Sequence, residues 1–264
     1  MTRRRIDAVL VDRGFFASRE RARAAVLAGE VRIGGEVVTK AGHQIEPDAP
    51  IEVAERQRFV SRGGQKLFGA LETFGLDVSG MRAIDVGAST GGFTDCLLQR
   101  GAASVAALDV GYGQLAWSLR TDPRVTVFER LNIRAADPSE LGAPFDLVVI
   151  DVSFISLRVV LPHVLALLGP EAHVVALVKP QFEAGKGRVG KRGVVRDANV
   201  HREVLSAAVE EFRAGQLVVR GLTHSPIKGP EGNIEFWVWA ARAGEPTELT
   251  AEAVVASAHN MLGG

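Results

Sequence analysis

The chain has one cysteine, Cys96, and lacks any long uninterrupted apolar run. A lone cysteine excludes an internal disulfide and a cysteine-cluster metal site, so no metal is expected, and it fits a reducing cytoplasm, where the protein is placed. The most apolar stretch, Val159 to Val178, is broken by Pro162, His163, Gly169, Pro170 and Glu171. It falls short of the ~20 apolar residues that a membrane-spanning helix needs. A secretory leader is not expected either: Arg3, Arg4 and Arg5 supply a basic start, but Asp7, Asp12 and Arg13 fall where its apolar core would lie. Internal repeats and low-complexity tracts are missing too. Net charge is also absent, with 31 basic and 31 acidic residues, so attraction to a polyanion has to come from local segregation of charge.

Segregated charge is present. Residues 1–32 hold eight arginines against four acids. Residues 56–66 hold Arg56, Arg58, Arg62 and Lys66 and no acid, and residues 179–202 hold seven bases against Glu183 and Asp197. Residues 243–264 carry three acids and no base. One such run reads as a solvated face; three together point to a nucleic acid. The residues expected on RNA are Arg4, Arg5, Arg19, Arg21 and Arg23, then Arg62, and then Lys186, Arg188, Lys191 and Arg192.

With 47% hydrophobic and 23% charged residues, the chain can fill one ordinary domain and a small one. Ile6 to Arg13 and Ser18 to Ala28 have helical apolar spacing, with Ser18 as N-cap and Gly29 as stop. Val31 to Ile33 and Glu36 to Val38 flank Gly34-Gly35, a hairpin signal, and Ile51 to Val53 adds a strand. After Glu55 to Arg62 the pattern becomes alternating apolar strands and helices, the signature of a wound, largely parallel sheet. Strands are expected at Arg82 to Val86, Ser104 to Asp109, Val125 to Glu129, Phe145 to Asp151, His173 to Lys179, Gln216 to Thr223 and Ile234 to Ala240. The division expected is a small RNA-binding domain at 1–55, a linker at 56–62 and an α/β domain at 63–264.

Ala83 to Val86 runs into Gly87-Ala88-Ser89-Thr90-Gly91-Gly92-Phe93 and then into a helix, a strand-to-helix turn of the kind that binds cofactors. A dinucleotide would want G-x-G-x-x-G, but here the glycines stand at 87, 91 and 92, and Asp85 would repel a pyrophosphate. That carboxylate suits a cationic ligand. S-adenosylmethionine carries an ammonium, a sulfonium and no phosphate, and Asp109 at the next strand end is placed to accept hydrogen bonds from its ribose. A purely structural turn is the plain alternative. Gly185 to Lys191 matches the start of a phosphate-binding loop, but Arg192 replaces its Ser or Thr and no helix follows. It reads instead as a basic loop on an RNA backbone.

Asp151 and Lys179 each end an apolar strand, so both reach the carboxyl edge of a parallel sheet, where ligands sit. Glu235 joins them there if its strand is antiparallel, and Lys66 closes the set from an entering helix. Taken singly, each is an ordinary strand-end or helix charge. In order, Lys66, Asp151, Lys179 and Glu235 resemble the Lys-Asp-Lys-Glu tetrad of FtsJ-like ribose 2′-O-methyltransferases. Ser61 to Leu67, Asp85 to Thr94, Asp109 to Leu115, Asp151 to Leu157, Lys179 to Glu183 and Gly232 to Glu235 narrow this to the TlyA (hemolysin A-like) rRNA methyltransferases. Arg5-Ile6-Asp7, Ser18 to Ala22 and Gly29 to Gly35 resemble an S4 RNA-binding domain; an ordinary small α/β cap is the alternative.

The resemblance implies a Rossmann-like S-adenosylmethionine-dependent methyltransferase fold, a seven-stranded, mostly parallel sheet, behind a small S4-like α+β domain. It implies 2′-O-methylation of cytidine in 16S or 23S rRNA within ribosomal subunits, by a monomer that needs no membrane. Thr2 to Arg4 and a helical tail at Leu249 to Leu262 match the longer members, which act on both rRNAs. Arg58-Phe59-Val60 departs from members that have a tryptophan there, so cross-talk between domains is not carried over. The cofactor set is Asp85, Gly87, Ala88, Ser89, Gly91, Gly92, Phe93, Asp109 and Asn132. Lys179 is the expected base for in-line attack of a ribose hydroxyl, or else a group that orients it. Three alternatives stand beside this reading. A base methyltransferase is one, since Asp151 to Phe154 loosely matches an Asp-Pro-Pro-Phe loop without its prolines. A membrane-lysing protein is another, although no strongly amphipathic basic helix is present. The third is an RNA-binding protein with a dead enzyme domain.

Overall fold

The structure is a computed structural model that describes residues 3–54, 58–185 and 187–263. Arg56 and Lys186, expected on the linker and the basic loop, lie outside the described residues, as does the side chain of Lys191. The chain falls into two compact units, Met1–Gln57 and Arg58–Gly264.

In the first unit, β1 (Arg4–Arg5) leads into α1 (Ile6–Asp12) and α2 (Arg19–Leu27), followed by β2 (Val31–Ile33), β3 (Glu36–Val37), β4 (Gln44–Ile45) and β5 (Ile51–Val53). Ser18 caps α2 by accepting from Arg21 N, and Gly29 ends it at φ +74°. Gly34 and Gly35, at φ +55° and +85°, turn β2 into β3 with Ile33 opposite Glu36. A β-carbon resists that left-handed backbone, which is why two glycines stand there. Ile6, Val9, Leu10, Ala22, Val26 and Val31 are buried as the core of this unit. The β1–β4 pair was not expected: two residues per strand are too few to show a period.

The second unit opens with α3 (Arg62–Phe74) and β6 (Arg82–Val86), then α4 (Gly92–Gln99), β7 (Ser104–Leu108), α5 (Trp117–Arg120) and β8 (Val125–Phe128). It continues through α6 (Pro138–Leu141), β9 (Phe145–Ile150), α7 (Leu157–Leu165), β10 (Leu168–Val178) and α8 (Pro180–Glu183). The last elements are α9 (Ala198–Ala214), β11 (Val218–His224), β12 (Phe236–Ala241) and α10 (Ala251–Leu262). Seven strands form one sheet in the order β11-β12-β10-β9-β6-β7-β8. Pairs among β10, β9, β6, β7 and β8 are parallel, and β12 runs antiparallel to both β10 and β11.

Alternate residues of each strand face opposite sides, and here both sides are covered. Ile84, Val86, Val148, Ile150, Val174 and Ala176 pack with α7, α9 and α10, while Ala83, Val105, Leu147, Val149 and Val175 pack with α3 and α4. Burial on both faces explains the continuous Val/Ile/Leu runs in the sequence. Strand β10 begins at Leu168, five residues before the expected His173. The register shifts between Leu168 and His173, so an irregularity absorbs Gly169-Pro170, which reads as a breaker. No helix among the described residues is long and apolar enough to cross a membrane.

Candidate active site

The carboxyl ends of β6, β9 and β10 and the start of β12 share one sheet edge. Val178 is the rung opposite Phe236, so Lys179 and Glu235 lie just beyond it on neighbouring strands. Asp151 follows β9 directly, and its N–H donates to Val86 O at 3.0 Å. Two ion pairs result. Lys66 Nζ, on α3, lies 2.6 Å from Glu235 Oε2, with side chains 8% and 1% exposed. Lys179 Nζ lies 2.5 Å from Asp151 Oδ1 and donates to Ser153 Oγ at 3.0 Å. Two cations against two anions make the cluster neutral as a whole, which is how four charges tolerate so little solvent.

Beside the cluster is a cavity of about 570 Å³, within the usual size of a small-ligand site. Val86, Leu108, Val110, Ile133, Val152 and Ile155 give it apolar walls, and Ser89, Asp109, Gln114, Asn132, Asp151 and Ser153 give it polar groups. Among the described residues the lining contains no lysine or arginine, so it suits a nucleoside ligand without phosphate better than a dinucleotide. Asp151 belongs to both the cavity wall and the charged cluster, so the two are one site.

The expected cofactor residues divide. Gly87, Ser89, Asp109 and Asn132 line the cavity, and Ala88 lines a small recess next to it. Gly87 sits at φ +94°, and a β-carbon there would lie 2.4 Å from Asp151 O. Its glycine is required by the crossing of two loops. Asp109 Oδ2 accepts from Ser89 N at 2.8 Å and Oδ1 from Gly111 N at 2.6 Å. Each oxygen keeps a further lone pair, so the carboxylate can shape the loop and still accept from a ligand. Asn132 lends its side-chain oxygen to Arg134 N at 3.0 Å.

Asp85, Gly91, Gly92 and Phe93 do not line the cavity. Asp85 is fully buried, and its Oδ2 accepts from Thr94 N and Thr94 Oγ1 at 2.9 and 2.7 Å, which caps α4, while Oδ1 has no partner. Burial, aided by the nearby charges of Asp151 and Asp109 and opposed by Thr94, pushes its carboxyl up to about 7. Beta-carbons at Gly91 and Gly92 would collide with Leu119 and with Ser61 Oγ, so these glycines serve helix packing. Phe93 is buried against Trp237, ring centroids 5.4 Å apart.

Several basic residues expected on RNA are held by acids of their own unit. Arg5 and Arg19 both pair with buried Asp7, at 2.8 and 3.1 Å, and hydrogen bonding from Arg5 leads in pulling its carboxyl down to about 2. Arg4 pairs with Asp12 at 2.6 Å and Arg188 with Glu203 at 2.7 Å. Arg62 donates to Lys228 O at 2.9 Å. Arg21, Arg23 and Arg192 are exposed. From Arg58 on, the expected linker is part of the second unit: Phe59 is buried, Arg58 stacks on Phe68 at 3.9 Å, and Val60 N donates to Asp95 Oδ2 at 2.8 Å.

Sequence reasoning did not single out three residues of the loop after β9 and its clamp. Ser153 bonds Lys179. Phe154 is 90% exposed at φ +63°, with its ring 5.0 Å from Phe182. Glu183, at the end of α8, accepts from Ser156 Oγ at 2.6 Å and Leu157 N at 2.8 Å, and burial raises its carboxyl above the usual range. An exposed phenylalanine beside the strand-end Asp151 was the one readable signal among them.

A Rossmann-like sheet with an apolar-walled cavity and a Lys-Asp-Lys-Glu cluster at its carboxyl edge defines a methyltransferase-type site. The model for the FtsJ-like methyltransferase family matches residues 59–242, and that for the S4 domain matches residues 4–51. The chain belongs to the FtsJ-like methyltransferase family, in the S4-bearing branch of TlyA and hemolysin A proteins. It is 50% identical over 240 residues to the 16S/23S rRNA (cytidine-2′-O)-methyltransferase TlyA of Mycobacterium tuberculosis, covering 90% of this chain and 89% of that one. Hemolysin A of Brachyspira hyodysenteriae is 40% identical over 88% of this chain and 97% of its own. A solved structure described as a candidate hemolysin of Streptococcus thermophilus superposes with a TM-score of 0.76 at 42% identity, covering 99% of this chain and 97% of that one.

Proposed function

We propose that this protein transfers a methyl group from S-adenosylmethionine to the 2′-hydroxyl of a cytidine in 16S or 23S rRNA, acting as a monomer on ribosomal subunits in the cytoplasm. The observation that carries the reading is the pairing of Lys179 with Asp151 and of Lys66 with Glu235 at the rim of a cavity whose lining, among the described residues, has no cation. The orphaned, buried Asp85 Oδ1 behind that cavity favours a positively charged ligand. S-adenosylmethionine supplies an electrophilic methyl carbon on a sulfonium. Asp109, Asn132, Ser89 and Gln114 would hold it, and the apolar walls would take its adenine.

In this reading Lys179 receives or orients the acceptor hydroxyl proton while Asp151 fixes its amine. Lys66 and Glu235 brace one another, so that β12 and α3 hold the reacting edge together. Restricting approach and orientation in this way removes much of the barrier to an in-line displacement. The exposed face of Phe154 offers a stacking surface for a base near Lys179. The S4-like unit, residues 1–55, supplies RNA affinity, with Arg21 and Arg23 exposed on it, and residues 63–264 carry the chemistry. Arg4, Arg5, Arg19, Arg62 and Arg188 join the RNA contacts when phosphates replace their internal partners, and Lys186, Lys191 and Arg192 complete them. Single-turnover methylation of isolated subunits by K179A tests this: loss of more than ~100-fold is expected, and a wild-type rate refutes it.

A further inference from the structure

Lys179 Nζ has two partners within the fold, an ion pair with Asp151 Oδ1 at 2.5 Å and a hydrogen bond donated to Ser153 Oγ at 3.0 Å, both on the loop that follows β9. Paired with Asp151, Lys179 is an ammonium with three hydrogens; in the form that accepts a proton it has first given one up to solvent, and its amine then carries two hydrogens and one lone pair. Ser153 takes one of those hydrogens and the Asp151 carboxylate holds a second side of the nitrogen by charge, which leaves the lone pair for the remaining direction. With one partner alone, Nζ swings about that oxygen on a flexible four-carbon stem. With two, both its position and its third direction are set.

The loop that supplies both partners is itself fixed. Asp151 N is bonded to Val86 O, and Ser156 Oγ and Leu157 N are bonded to Glu183. Glu183 lies on α8, which starts directly after Lys179. The lysine and its two partners are therefore tied together at both ends of a short segment, with Ser153 between the ties. Ser153 is exposed and lines the cavity, so its hydroxyl is not accounted for as core packing.

We propose that Ser153 is a positioning residue: its hydroxyl takes a Lys179 N–H and so aims the lysine lone pair at the acceptor ribose hydroxyl. This rests on the ribose methyltransferase reading above. The step balances: the hydroxyl proton passes to Nζ, a carbon–oxygen bond forms at the ribose, and the carbon–sulfur bond breaks with its electron pair left on sulfur.

The test uses the full chain with isolated 30S and 50S subunits, comparing wild type, S153A and S153T. S153A should slow single-turnover ribose methylation by ~10- to 100-fold, as expected for a misdirected reacting group. Cofactor affinity by calorimetry and subunit KM should stay within about twofold, and S153T, which keeps the hydroxyl, should return to within about threefold of wild type. Three results overturn the role: S153A as fast as wild type, S153T as slow as S153A, or cofactor affinity falling in step with rate, which would make Ser153 a cofactor contact. If wild-type ribose methylation is seen and S153A matches it, only this role fails. If the wild type puts no methyl on ribose, the function and the role fail together.

Discussion

Removing Glu235 should destabilise the protein far more than removing a surface acid, because it strands Lys66. The pair is 2.6 Å apart with side chains 8% and 1% exposed. An exposed ion pair contributes ~0–1 kcal/mol, whereas breaking a buried one costs ~3–5 kcal/mol, since the remaining charge has neither partner nor water. E235A is therefore expected to lose ~3–5 kcal/mol in urea unfolding, or roughly 6–20 °C in melting temperature for a unit of this size. K66M should cost less, since a carboxyl can take up a proton when its partner is gone. The double variant K66M/E235L carries no buried charge there and should return to within ~1 kcal/mol of wild type, while methylation stays lost in all three. A cost for E235A below ~1 kcal/mol, or a double variant as unstable as E235A, would refute the buried pair.

Other outcomes follow from the same geometry. The Asp85 carboxyl, raised to about 7, holds a proton below that value that a cation bound nearby would expel. Calorimetry near about pH 6 in buffers of unlike ionisation heat should show proton release in wild type and none in D85N; equal enthalpies in all buffers for wild type would contradict it. His201 is buried, hydrogen-bonded to His259 and Val195 O, and burial brings its imidazole down to about 4. The unfolded chain then binds the proton more readily, so this stability is present above about 6.5 and declines as pH falls toward about 4. Melting temperatures across that window should fall more steeply for wild type than for H201Q, and parallel curves would exclude the effect. G87A places a β-carbon 2.4 Å from Asp151 O at φ +94°. A loss of ~1–3 kcal/mol and of cofactor binding is expected, and unchanged calorimetry would contradict the loop crossing.

The sheet was legible because strands buried on both faces leave continuous apolar runs; β6, β7 and β9, with Asp151 at the end of β9, were read from that pattern, whereas Lys66, Asp151, Lys179 and Glu235 were joined as a tetrad through the family resemblance. The antiparallel β12 could be read only conditionally, since hydrophobicity carries no strand direction; the register Val178–Phe236 supplies it. What sequence could not show is where a polar group spends its hydrogen bonds. Asp85 reads as ligand-facing, yet it caps α4 from inside the core. Phe93, Gly91 and Gly92 sit in a cofactor motif, yet they meet Trp237, Leu119 and Ser61. Arg5 and Arg19 read as RNA contacts, but a shared partner at Asp7 is visible only once α1 and α2 are folded. Ser153 and Glu183 have no pattern of their own, because their roles come from the return of β10 beside β9.

The central claim is the chemical position of the methyl group. Isolated 30S and 50S subunits, incubated with the full chain and methyl-labelled S-adenosylmethionine, would be digested to nucleosides, separated by chromatography and fragmented at the glycosidic bond, so that label on ribose is told from label on base. The account predicts label in 2′-O-methylcytidine with wild type and none with K179A. Label on a base, or label on ribose that persists in K179A, would contradict it.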